Sequence, residues 1–386
     1  MSAFDDLTLH DLRRRRGVKW TQYPPDVLPA WIADLDFAPA PPIRRVLEEM
    51  VAIGDLGYPV RPWLNPLPEL FAERQASRHG WRPDPARVRV MTDVLQGLEA
   101  TVLHHGARGD GVVVQTPIYP PFLEAVRCGE RRLIENRLVR GPQRWEIDLD
   151  DFRRAAARAR MFLLCNPHNP TGRVFERAEL EAMAEIAVER DLLVVADEIH
   201  QDLLFPDHRH IPFASLGDEV ARRTITFTSA TKSWNIAGLC CAVAHFGPDA
   251  PLTTLDAFPP HYLGRVSIAG IEATAAAWRE GDPWLRELIA YLDGNRTRVA
   301  SFLRERLPGV DHVPPEATFL AWLDCRALDL PGGPHAFFLD GARVALSDGP
   351  DFGEAGRGFV RLNFATSRAI LDAILERMAG AVALHA

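Results

Sequence analysis

The side chains with the clearest chemical potential follow three short apolar runs of the sequence. Asn169 lies in NPHNPTG after the run MFLLC, Asp197 ends the run LLVVAD, and Lys232 follows TITFT in the motif SATK. Of the 44 lysines and arginines, only Lys19 and Lys232 are lysines. Chemistry that needs a primary amine therefore has two candidates, and only Lys232 follows a predicted strand.

These runs belong to residues 87 to 247, where short β-branched runs alternate with amphipathic helical stretches. This alternation predicts an α/β fold with a mostly parallel sheet that is covered by helices on both faces. Ligands of such sheets bind outside the carboxyl ends of the strands. If the three runs are neighbouring strands, an amide, a carboxylate and an amine converge on one crevice. The predicted strands are RVRVMTD, GVVVQTP, MFLLCNP, DLLVVADE, TITFTSAT and CAVAHFG.

The rest of the chain predicts a second, smaller α/β domain. Residues 265 to 306 have a strongly helical pattern that is long enough to connect two domains, and two further strands and a final helix follow. We predict a large domain over residues 40–275 and a small C-terminal domain over 276–386. Residues 1–39 are predicted to associate with the small domain, and the Pro-rich stretch YPPDVLPAWIADLDFAPAPP to run extended on the surface or into a cleft.

Composition narrows the class of protein. A net charge of -8 without a clustered basic surface argues against nucleic acid as a partner. No apolar run is long enough to span a bilayer, and the charges at the start are in the wrong order for a secretory signal, so we expect a soluble cytoplasmic protein without a membrane partner. The 5 cysteines are an odd number without CxxC spacing, which argues against a disulfide framework and a zinc knuckle.

An amine, a carboxylate and an amide at one crevice are the groups that a pyridoxal cofactor requires. A carboxylate keeps the ring nitrogen protonated, and Asp197 is the candidate. The aldehyde needs a lysine whose neutral form is accessible, and Lys232 is the candidate. Tyr119 follows the strand GVVVQTP and can stack on the ring. The turn after RVRVM and the hydroxyl of Ser229 can bind the phosphate.

Motifs over most of the chain resemble fold type I pyridoxal 5'-phosphate (PLP) enzymes, which have the aspartate aminotransferase fold. Within them, the chain resembles the PatB/MalY group of cystathionine β-lyase-like C-S lyases. The combination of NPxNPTG with downstream DExx and SxTK is specific for the fold, while WIADLDF and DEIH favour the lyase group over ordinary aminotransferases. The motifs are KW at Lys19-Trp20, WIADLDF, GY at Gly57-Tyr58, TPIYPPF, NPHNPTGRVF, DEIHQDL, SATKSWNIAGL and RLNFATSR.

The resemblance implies roles around the cofactor ring. Lys232 is similar to the lysine that holds the cofactor as a Schiff base and moves the Cα proton. Asp197 would pair with the pyridine nitrogen, Asn169 would bind the ring hydroxyl, and Tyr119 would stack on the ring. His200 takes a place where aminotransferases usually carry a tyrosine that is directed at the ring hydroxyl.

The resemblance also implies a substrate clamp and a partner. Arg361 in RLNF is similar to the arginine that binds the substrate α-carboxylate bidentately. Tyr58 resembles a tyrosine that reaches the phosphate of the neighbouring subunit. A homodimer with shared active sites is therefore implied.

Two departures concern the phosphate site. Asp93, followed by Val94 and Leu95, replaces a glycine that many relatives have before the phosphate-binding helix, and we expect its carboxylate to cap that helix. Cys240 lies where many aminotransferases have a phosphate-binding arginine. The phosphate should then depend on Ser229, on backbone amides such as those of Val94 and Leu95, and on Tyr58 of the other subunit.

Structural alternatives stay open for each residue. Asp197 could cap a helix, Tyr119 could belong to the core, Arg361 could be a surface residue and Tyr58 could pack within its own chain. A metal cluster could be imagined from Asp197, His200, His208 and His210. We expect no metal site, because Asp197 is better used by the ring nitrogen and the later histidines lie in a polar loop.

The sequence favours β-elimination over two rivals. An amino acid with sulfur on Cβ, such as cystathionine, cystine or another cysteine S-conjugate, would lose its Cα proton to Lys232, release a thiol, and yield pyruvate and ammonia. An aminotransferase would use the same residues but return the proton to the cofactor. A PLP-binding regulator with a protein partner is the second rival, although no helix-turn-helix module is recognisable.

Overall fold

A seven-stranded, mostly parallel sheet is the centre of the part of the chain that the structure describes. The computed structural model describes residues 4–259 and 262–385. The helices are α1 (Leu9–Arg13), α2 (Val18–Thr21), α3 (Pro41–Ile53), α4 (Leu67–His79), α5 (Val94–His104), α6 (Pro120–Cys128), α7 (Leu149–Ala156), α8 (Arg177–Glu189), α9 (Asp218–Ala221), α10 (Asp249–Asp256), α11 (Ile268–Glu280), α12 (Asp282–Arg306), α13 (Pro334–Asp340) and α14 (Arg368–His385). The strands are β1 (Leu28–Pro29), β2 (Val88–Met91), β3 (Gly111–Thr116), β4 (Arg132–Arg137), β5 (Val139–Arg140), β6 (Trp145–Glu146), β7 (Met161–Cys165), β8 (Leu193–Asp197), β9 (Thr224–Thr228), β10 (Ala242–Phe246), β11 (Asp311–His312), β12 (Leu320–Asp324), β13 (Val344–Ala345), β14 (Ser347–Asp348) and β15 (Phe359–Asn363).

The large sheet has the strand order β2-β10-β9-β8-β7-β3-β4. The strands β9, β8, β7, β3 and β4 pair in parallel, and β10 is antiparallel to both of its neighbours. All residues of β3, β7 and β9 are buried, as expected for strands with helices on both faces. The predicted mostly parallel α/β architecture is confirmed.

Two apolar clusters cover the faces of this sheet. One contains Phe152 and Leu180 from α7 and α8, and the other contains Leu98 and Phe122 from α5 and α6. Burial of a large apolar side chain stabilises the fold by roughly 1.5–3 kcal/mol. The clusters therefore fix the strands, and the strands fix the loops that follow them.

The C-terminal part contains a four-stranded antiparallel sheet with the order β11-β12-β15-β14. The N-terminal segment joins this part, because β1 pairs in parallel with β13. The ring of Phe4 also lies 5.2 Å from that of Tyr291 on α12, and the Tyr291 hydroxyl donates to Asp5 at 2.5 Å. The domain boundaries that we predict, 1–39, 40–275 and 276–386, stay a prediction.

The predicted helical stretch over residues 265 to 306 is divided in two at Gly281. Proline near the start of α12 favours a new helix there. A Cβ on Gly281 would lie 2.5 Å from Nε1 of Trp234, whose indole N–H donates to the Gly281 carbonyl. The glycine thus lets the break between α11 and α12 approach the loop that carries Lys232. No described helix combines the length and the apolar character needed to cross a membrane.

Candidate active site

Three adjacent parallel strands deliver the predicted chemical groups to one edge of the sheet. In the register of the sheet, Cys165 at the end of β7 pairs with Asp197 at the end of β8, and Asp197 pairs with Phe227 of β9. Asn169 follows β7 and Lys232 follows β9 within a few residues. The side-by-side arrangement on which the predicted crevice depends is present.

Asp197 is a buried carboxylate with few partners. Its side chain is 5% exposed, and Oδ1 accepts one hydrogen bond, from the backbone N–H of Ile199 at 3.0 Å. Burial raises the pKa of Asp197 to about 7, with a smaller increase from Glu198, while the Ile199 bond and Lys232 lower it. A cationic group beside this carboxylate would relieve the cost of its burial. Asp197 therefore fits a protonated ring nitrogen.

Lys232 is half-buried in the turn after β9. Its Nζ donates to the backbone carbonyl of Ala33 at 3.0 Å. Burial lowers the pKa of the Lys232 amine; the charge of Arg361 lowers it further, while Asp34 and Asp197 raise it. A lowered pKa makes the neutral, nucleophilic amine more accessible.

Arg361 joins the small sheet to the end of β7. Its guanidinium donates to Oδ1 of Asn169 at 2.9 Å, to the carbonyl of Trp31 at 2.9 Å and to Oγ of Ser347 at 3.1 Å. The side chain is 3% exposed, and burial lowers the pKa of Arg361 to about 10. No described carboxylate pairs with it, and its Nε has no partner among the described residues. A buried cation without an acidic partner suits a carboxylate supplied by a ligand.

Tyr119 lies beside this arginine. Its ring centre is 6.0 Å from the Arg361 guanidinium carbon, and its backbone N–H donates to the Asn169 carbonyl at 3.1 Å. The structure thus brings Tyr119, Asn169 and Arg361 together. The side chain belongs to the edge of two apolar clusters, so the packing and stacking interpretations are compatible.

His200 presents an unsatisfied polar atom. The side chain is 2% exposed, and its Nδ1 has no hydrogen-bond partner among the described residues. Burial lowers the pKa of His200 to about 3, and the nearby charges of Lys232 and Arg361 act in the same direction. The neutral ring is therefore the stable form. A buried nitrogen without a partner is costly, so a bound group at this position fits.

The start of α5 has the capping arrangement that we expect. Oδ1 of Asp93 accepts the backbone N–H of Gln96 at 2.8 Å, and Asp93 is exposed. Val94 and Leu95 occupy the first turn, where backbone N–H groups have no partner within the helix. Free amides at a helix start can bind an anion such as phosphate, so the role of Val94 and Leu95 at the phosphate stays a prediction.

Ser229 and Tyr58 are placed differently from the groups around Lys232. The Ser229 hydroxyl lies 2.6 Å from the Cys241 carbonyl, to which it donates, and accepts the N–H of Thr231 at 3.0 Å, so its donor is used within the protein. Tyr58 is 84% exposed, and its ring lies 5.1 Å from the Arg265 guanidinium carbon. The roles of both residues at the phosphate stay predictions.

The segment WIADLDF, residues 31–37, is the part of the site that sequence reasoning underestimated. We call it the strap. Its backbone carbonyls accept hydrogen bonds from Arg361, Lys232 and, at 2.7 Å, from Nδ2 of Asn363. The shared motifs were a signal that the strap matters, but backbone carbonyls have no sequence signature of their own. Ser347, which contacts Arg361, had no signal at all.

His200 and His210, which could be imagined as metal ligands, have different neighbours. Nε2 of the buried His210 lies 3.1 Å from Glu198, behind the strand end, while His200 faces the charges of Lys232 and Arg361. Among residues 4–259 and 262–385, no group of three or more potential ligands has metal-binding spacing.

Comparisons with known proteins identify relatives of the chain in sequence and in fold. Residues 71–378 match the family model described as aminotransferase class I and II. A cystathionine beta-lyase from Corynebacterium glutamicum is 35% identical, with 96% of this chain and 98% of that protein covered. Cystathionine beta-lyase PatB from Bacillus subtilis (strain 168) is 34% identical, with 92% and 93% covered. The crystal structure of the PLP-bound C-S lyase from Staphylococcus hominis superposes with a TM-score of 0.91 at 28% identity, with 99% of both chains covered.

Proposed function

Because the chain belongs to the aminotransferase class I and II family, we propose that it is a PLP-dependent carbon–sulfur β-lyase. Its substrates are cystathionine or related cysteine S-conjugates, and its products are pyruvate, ammonia and a thiol. The full-length similarity to proteins named cystathionine beta-lyase supports this choice. The observation that carries the proposal is that Asp197 and Lys232 come from the ends of the neighbouring strands β8 and β9, while Arg361 binds Asn169 after the adjacent strand β7.

The residues of the crevice fit pyridoxal phosphate. Asp197 offers a buried carboxylate without a cation, His200 offers a nitrogen without a partner, and the start of α5 offers free amides. Asn169 and Tyr119 both contact Arg361. In the proposal, Lys232 would hold the aldehyde, Asp197 the ring nitrogen and Tyr119 the ring face. When bound, the cofactor supplies an electron sink for the carbanion at the substrate Cα.

The chain's own residues then bind the substrate and move one proton. Arg361 binds the α-carboxylate, since it is a buried guanidinium with no carboxylate partner among the described residues. The neutral amine of Lys232 takes the proton from Cα. The Cβ–S bond breaks and the sulfur leaves with both electrons, takes up a proton and departs as the thiol. The remaining three-carbon unit takes up water and yields pyruvate and ammonia.

A homodimer with shared active sites is part of the proposal. The region around Tyr58 exposes large apolar side chains, which is unusual for a free surface and typical of a subunit interface. Self-association would cover them and would place Tyr58 against the other subunit. These side chains are Ile53 at 71% exposure, Leu56 at 64%, Tyr58 at 84%, Trp63 at 77% and Leu64 at 65%. A cytoplasmic location is also part of the proposal, supported by 5 cysteines that are all free thiols.

A substrate panel tests the reaction. L-cystathionine, L-cystine and S-alkyl cysteines are each incubated with the PLP-loaded enzyme, and pyruvate, ammonia and free thiol are measured. We expect equal amounts of all three without any added keto acid, except that L-cystine should release the persulfide of cysteine in place of a thiol. Activity that requires a keto acid and converts the cofactor to pyridoxamine phosphate would instead identify an aminotransferase. Absence of turnover on every thiol amino acid, with the cofactor bound, would favour a regulatory role.

A further inference from the structure

Side chains of three motifs hold the strap by hydrogen bonds. Lys19 and Trp20 of KW, Asn235 of SATKSWN and Asn363 of RLNF all donate hydrogen bonds to strap residues. Arg361 and Lys232 do so as well. The strap has no regular secondary structure over most of its length, so its position depends on these side-chain bonds rather than on a backbone ladder.

Lys19 anchors the strap through a buried ion pair. Its Nζ lies 3.0 Å from Oδ2 of Asp36 and donates to the Asp34 carbonyl at 2.9 Å. Trp20 donates to the other carboxylate oxygen of Asp36 at 2.8 Å. The side chains of Lys19 and Asp36 are only 5% and 1% exposed. A buried ion pair with further hydrogen bonds holds its partners in one geometry, and loss of one partner leaves an unpaired buried charge.

The anchored strap contacts Lys232 through a single backbone atom. Ala33, whose carbonyl accepts the Lys232 N–H at 3.0 Å, lies next to Asp34. Asn363 donates to the carbonyls on both sides of Ala33, those of Ile32 and Asp34, at 2.7 Å each. The Ala33 carbonyl is thus fixed between two clamped peptide groups. It is an acceptor for the Lys232 amine in the form in which that amine is not bound to a cofactor.

We propose that Lys19 is a positioning residue: through Asp36 and the strap it fixes the Ala33 carbonyl, which holds the Lys232 amine while that amine is free to transfer a proton. This inference rests on the proposed role of Lys232 as the base. The neutral amine donates one N–H to Ala33 and keeps its lone pair for the substrate proton. Small displacements of a reacting group reduce rate far more than binding, so loss of Lys19 should reduce kcat and leave KM nearly unchanged.

Several charged groups act on the free Lys232 amine. Asp34 from the strap, Asp197 from β8 and Asp93 at the start of α5 favour its protonated form. Arg361 from β15 disfavours it, and burial is the largest of all these effects. If the strap loosens and water enters, the burial effect weakens. The pKa of Lys232 should then rise relative to that in the parent protein.

The presence of only two lysines in the sequence permits a direct measurement. The protein is prepared with lysine labelled at Cε and Nζ, freed of cofactor, and titrated by NMR; Lys232→Ala assigns the two resonances. We expect Lys19→Met to raise the titration midpoint of the Lys232 resonance. In the PLP-loaded enzyme, the same variant should lower kcat by about tenfold or more and change KM by less than about threefold. Lys19→Arg, which keeps the cation beside Asp36, should restore most of kcat.

Two controls separate positioning from general destabilisation. In Lys19→Met combined with Asp36→Asn the buried charge is gone, so the melting temperature should recover while kcat stays low. Asn136 on the edge strand β4 is fully buried, and its side chain donates to the Asp148 carbonyl and to the Asp151 carboxylate. Asn136→Ala should therefore leave the Lys232 titration unchanged. A parental Lys232 titration and kcat in Lys19→Met would overturn the inference. The proposed function fails separately, if the PLP-loaded parent protein releases no pyruvate from any cysteine S-conjugate.

Discussion

Lys19 and Lys232 donate to adjacent backbone carbonyls of the strap, those of Asp34 and Ala33, at 2.9 and 3.0 Å. They differ in the charge beside the amine. Lys19 has the Asp36 carboxylate at 3.0 Å, whereas no described carboxylate pairs with Lys232 at ion-pair distance. A paired ammonium stabilises a structure, and an amine that is half-buried without a pair can become neutral and react. The surroundings, rather than the residue type, assign structure to one lysine and chemistry to the other.

Arg74 and Arg361 show the same contrast between a paired and an unpaired buried charge. Arg74 is buried like Arg361, but Arg74 pairs with Asp202 at 2.7 Å and with Asp282 at 3.1 Å. Arg361 has only neutral oxygen acceptors: an amide, a carbonyl and a hydroxyl. Asp197 likewise has a single backbone donor. Lys232, Asp197 and Arg361, which have no oppositely charged side chain at ion-pair distance among the described residues, thus lie near one edge of the sheet, where a charged cofactor and substrate would complete them.

The largest effect is expected from Lys232→Ala, which removes the amine that the comparison assigns to chemistry. Pyruvate release should fall by about 10³-fold or more, because the variant lacks both the nucleophile and the base. Lys232→Arg should fail equally, since a guanidinium stays protonated. The measurement is pyruvate formation from L-cystathionine at saturating PLP. Retention of more than about a tenth of the activity would contradict the assignment.

Asp197→Asn tests whether the unpaired Asp197 carboxylate destabilises the folded protein when no cation is bound beside it. Since folding raises the pKa of Asp197 from 3.8 to about 7, the unfolded chain binds fewer protons between these values, and the cofactor-free protein loses stability as pH rises from about 4 to 7. The neutral amide avoids this loss. At pH 8 the cofactor-free variant should be more stable than the parent by up to about 4 kcal/mol, while its PLP affinity and turnover fall.

Urea unfolding of the cofactor-free proteins at two pH values measures this effect. The advantage of Asp197→Asn should be large at pH 8 and should shrink towards pH 4, where both side chains are neutral. Asp202→Asn serves as a contrast, because Asp202 is buried but paired with Arg74. That variant should lose stability at pH 8. Equal behaviour of the two variants would remove the distinction between paired and unpaired carboxylates.

Arg361→Met should have the next largest effect. Loss of a charge-assisted bidentate contact costs roughly 3 kcal/mol, so kcat/KM should fall by about 10²-fold, chiefly through KM. Arg361→Lys should recover only part, because an ammonium cannot make two parallel hydrogen bonds. Arg357→Met is the matched control: this arginine precedes the same strand but is exposed and pairs with Glu354. Substrate-saturation curves of the variants give KM and kcat. An unchanged KM in Arg361→Met would mean that the substrate α-carboxylate binds elsewhere.

The strand-end groups could be predicted because their signals are local. Buried parallel strands are continuous apolar runs, and Asn169, Asp197 and Lys232 directly follow such runs. The strap is different, since it acts through backbone carbonyls that every sequence has, and its anchor Lys19 lies where no strand ends. Ser229 shows the same limit: its type fits a phosphate ligand, but the position of the Cys241 carbonyl decides where its proton goes. Such contacts depend on the distance between segments that are remote in sequence.

The smallest effect is expected at Asp93, a carboxylate whose charge acts on the Lys232 amine. Asp93→Asn keeps an oxygen that can accept the N–H of Gln96, so the helix cap and the stability should be nearly unchanged. Asp93→Ala loses the cap and should cost about 1 kcal/mol. Because the Asp93 charge raises the pKa of Lys232, both variants should move the Lys232 NMR titration to lower pH. They should also bind PLP slightly more tightly, since a negative charge near the phosphate is removed. A Lys232 resonance that does not move in either variant would mean that the Asp93 charge does not act on this amine.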